Sequence, residues 1–377
     1  MVTDSTLDAL RDFSSAGQNP VVSLYLDVDG SRFPNRSDYE AELSFLISNT
    51  RKDTGARMGL TRDQLSQLDA ELKAISDFVT LEFERNSVRG LLIFSCRSDG
   101  LWRVIPLDIE VTSELFVDFK PHIAPLIELL DRHQETCVLL TNKETARIFN
   151  VGPEGIVEHP EILDEVTGLH GQGGWKQDKL QRRHQQEVAE HLKNAAAATL
   201  GYFKREGFER FVVAIADGLW PELEKVLHPY LLERLAGRFT CDIRAQAREV
   251  FARTNDLLAE RRLDEDRELL ESLGPELSAG RIFVGGLDDV LAVLNQRRVD
   301  LLLIEKGYRE SGRYCYSCDT LAYGEETCPS CMMAMDDIDV VDEARELAVR
   351  QGSRVVTVPP GHASLAQAGQ IAARLRY

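Results

Sequence analysis

The chain has 377 residues, 43% hydrophobic and 28% charged, a balance that excludes a disordered polymer and leaves room for about two to four domains. The net charge of −18 and pI of about 5.0 exclude nucleic-acid binding through the bulk surface, so any RNA partner must meet a local basic patch. There is no apolar run of roughly 18 residues, no apolar signal core in MVTDSTLDALRDF and no disulfide-dense spacing among the seven cysteines. The expected setting is therefore a reducing cytoplasm, with no membrane partner.

PVVSLYLDVDG (20–30) reads as a strand running into a turn, with Asp27 and Asp29 as turn residues. Helical patterns follow at 39–51 and 61–79, the second capped by Thr61. VRGLLIFSC (88–96) and LWRVIPL (101–107) read as a hairpin across RSDG, and a helix at 121–132 closes the region. TCVLLTNKETARIFNVGPEGIVEH (136–159) is a β-meander punctuated by Gly-Pro. The stretch GLHGQGGWKQDKLQRR (168–183) enters a long helix, Gln185 to Arg205. FERFVVAIADG (208–218) reads as a buried strand, and two more helices reach residue 274, the last one densely charged and solvated. His170, His184 and His191 fit no metal spacing and read as solvated or RNA-facing.

In the last third, GRIFVGGLDDVLAVLNQRRVDLLLIEKGY (280–308) places a helix between apolar segments, with Gly285-Gly286 at its N-cap. DEARELAVRQGSRVVTVPPG (342–361) gives helix, turn and strand, and LAQAGQIAARLRY ends as a helix or short strand. The alternation predicts a mixed α/β class. Its expected domains are 1–133, 134–274 and 275–377, with a cysteine segment inserted at 313–335.

That segment carries Cys315-Tyr316-Ser317-Cys318 and Cys328-Pro329-Ser330-Cys331. Two CxxC knuckles supply four thiolates, which suit a closed, tetrahedral, structural zinc site. An iron–sulfur cluster or a redox pair are the other uses of such cysteines. Tyr314, Tyr316, Tyr323, Met332 and Met333 are placed to cover the site.

The second informative stretch has Gly168, Gly171, Gly173 and Gly174 ahead of Trp175, Lys176 and Gln177. Glycines let a backbone approach a ligand closely. Lys176, Lys179, Arg182 and Arg183 face only Asp178, a local excess of +3 in an acidic chain, which suits phosphate contact. A flexible loop leading to a solvated helix is the plainer reading.

In these parts and their order the chain resembles the archaeal and eukaryotic class-1 release factor family and its relative Pelota. RIFNVGPEGIVEH followed by GGWKQDKLQRR resembles the middle domain, and RVDLLLIEKGY, the knuckles, SRVVTV and IAARLRY resemble the C-terminal domain. The resemblance implies a ribonuclease-H-like middle domain and a C-terminal α/β sandwich with an inserted zinc ribbon. It also implies binding to the ribosome, with rRNA and peptidyl-tRNA as contacts and a translational GTPase as a further partner. Gln177, with Gln172 as rival, would position the water that cleaves the peptidyl-tRNA ester, on a loop shaped by Gly173 and Gly174. Lys176, Lys179, Arg182 and Arg183 would hold RNA phosphates, and Trp175 would stack on a base. The strict Gly-Gly-Gln triplet is absent because Trp175 and Lys176 intervene, and residues 1–133 lack the family's codon-reading motif, Asn35-Arg36-Ser37 being a weak echo. Ribosome rescue by peptidyl-tRNA hydrolysis is therefore expected rather than stop-codon reading. The alternatives are a non-enzymatic hibernation factor occupying the aminoacyl site, and an RNA- or protein-binding adaptor.

Overall fold

All seven side chains of VVSLYLD are buried, and this decides the place of strand β1 (Val21–Asp27), an inner strand of a four-stranded sheet. The computed structural model describes residues 4–13, 15, 19–159, 177–279 and 282–377. Helix α1 (Asp4–Asp12) precedes β1, and α2 (Arg36–Arg57) and α3 (Arg62–Asp77) follow it. Then come β2 (Gly90–Cys96), β3 (Leu101–Leu107), β4 (Glu114–Asp118) and α4 (Ala124–Arg132). The sheet order is β3-β2-β1-β4, antiparallel throughout. Helix α3 starts where the Thr61 hydroxyl accepts from the Gln64 N–H at 3.3 Å. It turns Leu68, Leu72 and Ile75 toward the sheet at helical spacing, each worth about 2 kcal/mol of apolar burial. The expected hairpin is present, and Gly100 supplies the positive φ of 82° at its turn.

The chain forms two compact units, Met1–Leu129 with Asp266–Tyr377, and Leu130–Glu265. In the second unit the meander is β5 (Thr136–Thr141), β6 (Ala146–Gly152) and β7 (Gly155–His159). Helix α5 (Gln177–Glu206) leads to β8 (Arg210–Ala214), and α6 (Trp220–Val226) and α7 (Pro229–Leu232) lead to β9 (Leu235–Phe239). The order β7-β6-β5-β8-β9, with β5, β8 and β9 parallel, agrees with the ribonuclease-H-like expectation. Parallel neighbours need a crossover, and α5 supplies it between β5 and β8. Val188, Leu192, Ala195, Ala196 and Phe203 form its buried stripe. Two expectations are corrected. Helix α5 begins at Gln177, not Gln185. His191 is 2% exposed, its Nε2 3.4 Å from the Thr141 hydroxyl, so it belongs to the core rather than to solvent or RNA.

Helix α8 (Ala247–Ala279) is followed by β10 (Phe283–Gly285), α9 (Leu287–Asn295) and β11 (Val299–Glu305). The ribbon strands are β12 (Ser311–Cys315), β13 (Thr320–Ala322) and β14 (Asp336–Asp339). Helix α10 (Val340–Arg350), β15 (Arg354–Val358), α11 (Ala363–Gln367) and β16 (Ile371–Leu375) complete the chain. The main sheet here is β10-β16-β11-β15, with β11 and β15 parallel. Their crossover runs through α10, and the ribbon, ordered β13-β12-β14, is inserted just ahead of that helix. Gly312 allows the close seat of β12 on α10, since a Cβ there would lie 2.6 Å from the Val340 Cβ.

Candidate functional site

The two knuckles fold alike, and the likeness is in the backbone. The N–H of Asp319 donates to the carbonyl of Cys315 at 2.9 Å, and the N–H of Met332 donates to that of Cys328 at 2.9 Å. Each of these residues has a left-handed φ, 56° at Asp319 and 64° at Met332. Such a turn brings the two cysteines of each CxxC onto one side. All four sulfurs lie within 4.8 Å of one another, and three Sγ–Sγ separations are 3.4 Å, between Cys315 and Cys331, Cys318 and Cys328, and Cys318 and Cys331. That is too long for a disulfide of about 2.05 Å. It is close to the edge of a tetrahedron, roughly 3.8 Å, that follows from sulfur at about 2.3 Å around zinc. Burial raises the Cys328 thiol, but the N–H groups of Cys331 and Ser330 outweigh it and bring the thiol down to about 6. The donor set and its geometry could thus hold a metal ion.

The expected cover of the cluster is partly corrected. Tyr314 is buried, but Tyr323, Met332 and Met333 are 49%, 75% and 55% exposed and face outward. The apolar cover is instead Ala322 and Met335, packed with Cys315 and Cys328. Met335 sits at the end of the second knuckle, and its place behind the sulfurs has no signal in the spacing.

The first knuckle also touches the N-terminal sheet. Lys120, just past β4, forms a salt bridge with Asp319, and its ammonium lies 5.9 Å from the centre of the Tyr314 ring. Burial would raise the Asp319 carboxyl, but hydrogen bonds from Lys120 and Tyr314 hold it below its ordinary value. Phe119 meets Tyr316 edge-on, 5.4 Å between centroids.

Gly168, Gly171, Gln172, Gly173, Gly174, Trp175 and Lys176 lie outside the described residues. Gln177, Lys179, Arg182 and Arg183 fall on the first turns of α5, and Gln177 is its first residue. Other residues singled out in the sequence have structural work. The Asp29 N–H donates to the Asp27 carboxylate at 2.9 Å and the Ser31 N–H to that of Asp29 at 2.8 Å, the expected turn. Asn35 opens α2, its N–H donating to Asp38 at 2.8 Å, and Arg36 pairs with Glu40 at 2.7 Å.

The second unit thus holds a mixed sheet in which β5, β8 and β9 run parallel, and in the first unit an α/β sheet is interrupted by a four-cysteine ribbon. Residues 121–259 match the family described as Bacterial archaeo-eukaryotic release factor family 10. Over this segment the chain is similar to that family. Among solved structures it is similar to the archaeal translation termination factor aRF1, at 17% identity over 99% of this chain and 96% of that one, TM-score 0.26. It is similar to Pelota of Archaeoglobus fulgidus, at 18% identity over 76% and 79%, TM-score 0.37. It is also similar to a chain of ribosome-bound archaeal Pelota and ABCE1, at 19% identity over 76% of each chain, TM-score 0.41. No curated protein matches.

Proposed function

We propose that this protein is a ribosome-associated, release-factor-like factor that promotes hydrolysis of the peptidyl-tRNA ester in rescue of stalled ribosomes. The observation that carries this reading is the family match over residues 121–259, which brackets the glycine–glutamine segment. Gln177 positions the attacking water. A neutral amide is no general base, but it orients water and offers a fixed dipole to developing charge. Among the described residues Gln177 lies on α5, which carries the basic stretch on from it. Gly173 and Gly174 shape the approach, Gln172 is the rival glutamine, and Trp175 stacks on a base. Lys176, Lys179, Arg182 and Arg183 hold rRNA or tRNA phosphates, the basic exception in a chain of −18. A translational GTPase delivers the factor.

The ribbon metal is read as zinc in a structural role, since four sulfurs leave no open coordination position. When bound, it supplies cross-linking rather than chemistry. Cys315, Cys318, Cys328 and Cys331 hold the ion, and the backbone turns orient them.

A second reading is favoured by one observation: Trp175 and Lys176 separate the glycine pair from Gln177. A factor with such a loop could fill the vacant aminoacyl site without cleaving anything. Sedimentation with ribosomes, and release of labelled peptide from ribosomes bearing peptidyl-tRNA, separate the two. Binding with release supports hydrolysis, and binding without release selects the protective reading. Failure to sediment with ribosomes at low salt removes both.

A further inference from the structure

A cavity of about 80 Å³ lies where the end of β4 and the turn before α4 meet the base of the ribbon and the start of α10. At about 30 Å³ per water it holds a few waters or one small head group. Asp118, Asp336, Asp342 and Glu343 line it, and among the described residues no lysine or arginine pairs with any of the four. Two further lining carboxylates are answered by arginines, Asp337 by Arg313 at 3.2 Å and Asp339 by Arg309 at 3.9 Å. The nearby Arg350 is engaged with Glu346 at 3.4 Å and with the carbonyls of Arg11 and Pro121.

An independent observation comes from His122. Its side chain is 7% exposed, and Nε2 has no hydrogen-bond partner. That nitrogen is turned toward the lining residue Asp342, 3.9 Å away, while Nδ1 faces Glu346 at 3.6 Å. The ring is fixed by stacking on Phe116, 3.8 Å between centroids. Nε2 is thus a buried ring nitrogen without a hydrogen-bond partner at the wall of the cavity. Burial raises the carboxyls of Asp118 and Glu343 above their ordinary values, and repulsion from Glu346 adds to it. An entering cation would relieve that repulsion.

The chemistry favours an organic cation over a metal. Apart from the four cysteines, no three His, Cys, Asp or Glu ligand atoms among the described residues lie within 4.8 Å of one another. Direct coordination of a divalent ion needs oxygens at about 2.0–2.6 Å from it, hence a tighter set. Phe116, Phe119 and Tyr316 add aromatic walls, which suit a guanidinium or alkylammonium. We propose that this cavity binds the guanidinium or ammonium head of an organic cation on a flexible chain, whether a free small molecule or a basic side chain of a polypeptide.

The test uses the full-length, metal-loaded protein. Agmatine, a Gly-Arg-Gly peptide and magnesium chloride are titrated calorimetrically against sodium chloride of equal ionic strength, with the His122 ring signals followed by NMR. The expected result is one saturable site for agmatine that shifts the His122 signals and weakens at least tenfold in Glu343→Gln and in Asp342→Asn. Asp342 is 41% exposed at its side chain, so Asp342→Asn preserves the test should Glu343→Gln disturb the fold. Binding of agmatine alone assigns the site to free cations, and binding of the peptide as well extends it to side chains. No binding beyond the sodium control, affinity unchanged in both variants, or saturation of the His122 signals by magnesium alone would overturn the proposal.

Discussion

Glu346 lies on α10, yet its carboxylate accepts the N–H groups of Ile123 at 2.9 and 3.0 Å and of Ala124 at 2.8 Å, at the start of α4. A carboxylate at a helix N-terminus satisfies free donors and suits the dipole. Glu346→Ala leaves those N–H groups buried and unpaired, and a loss of about 2 kcal/mol is expected in thermal or urea unfolding, with Glu346→Gln losing less. Cys318 is the exposed member of the four-cysteine cluster. Cys318→Ser should reduce bound zinc from one per chain to a small fraction of that, read by a zinc assay on purified protein. Glu343 gives a pH prediction. Burial and the charge of Asp118 raise its carboxyl well above the ordinary value of 4.5, so the folded state binds more protons than the unfolded one. That contribution is complete below 4.5 and is lost as pH rises through the raised value. Glu343→Gln should therefore flatten the fall of the unfolding midpoint with pH above 4.5, an effect that an unchanged slope would contradict. Of these residues the sequence marks only the cysteines, by their spacing. Glu346 and Glu343 look like ordinary polar positions on an amphipathic helix, because their partners are more than 200 residues away in the chain.

At the scale of elements, legibility follows burial. Strands β1, β2, β5 and β8 are rich in apolar residues, buried almost throughout, and can be read directly. Strands β4, ELFVD, and β9, LAGRF, show neither alternation nor a continuous run, and nothing local marks them. The first turns of α5, QDKLQRRHQ, carry a single apolar residue, so the apolar period reveals the helix only further on. The turns of the ribbon are legible as knuckles, but their contact with segment 118–122 is not. That contact would tie a bound metal to packing. Chelation of zinc should lower amide protection at Phe119 and Lys120 at least tenfold in hydrogen exchange while leaving β5 and β8 protected. Lys120→Ala should give part of the same loss with metal still bound. Equal protection of Phe119 with and without metal would break the link.

For the whole molecule, the charge of −18 and a confined basic stretch at 176–183 have a consequence for binding. Ribosome association should fall steeply with salt, and Arg182→Glu with Arg183→Glu should weaken sedimentation at least tenfold while leaving the unfolding midpoint unchanged. Over residues 121–259 the chain is similar to a bacterial release-factor family, and the proposed activity rests on the segment ahead of α5. The most direct measurement is single-turnover release of labelled peptide from ribosomes bearing peptidyl-tRNA, comparing the native protein with Gln177→Ala and Gln172→Ala. The native protein should release peptide, with a loss of about a hundredfold or more in Gln177→Ala and little change in Gln172→Ala. No release by the native protein, or full release by both variants, would contradict the proposed activity.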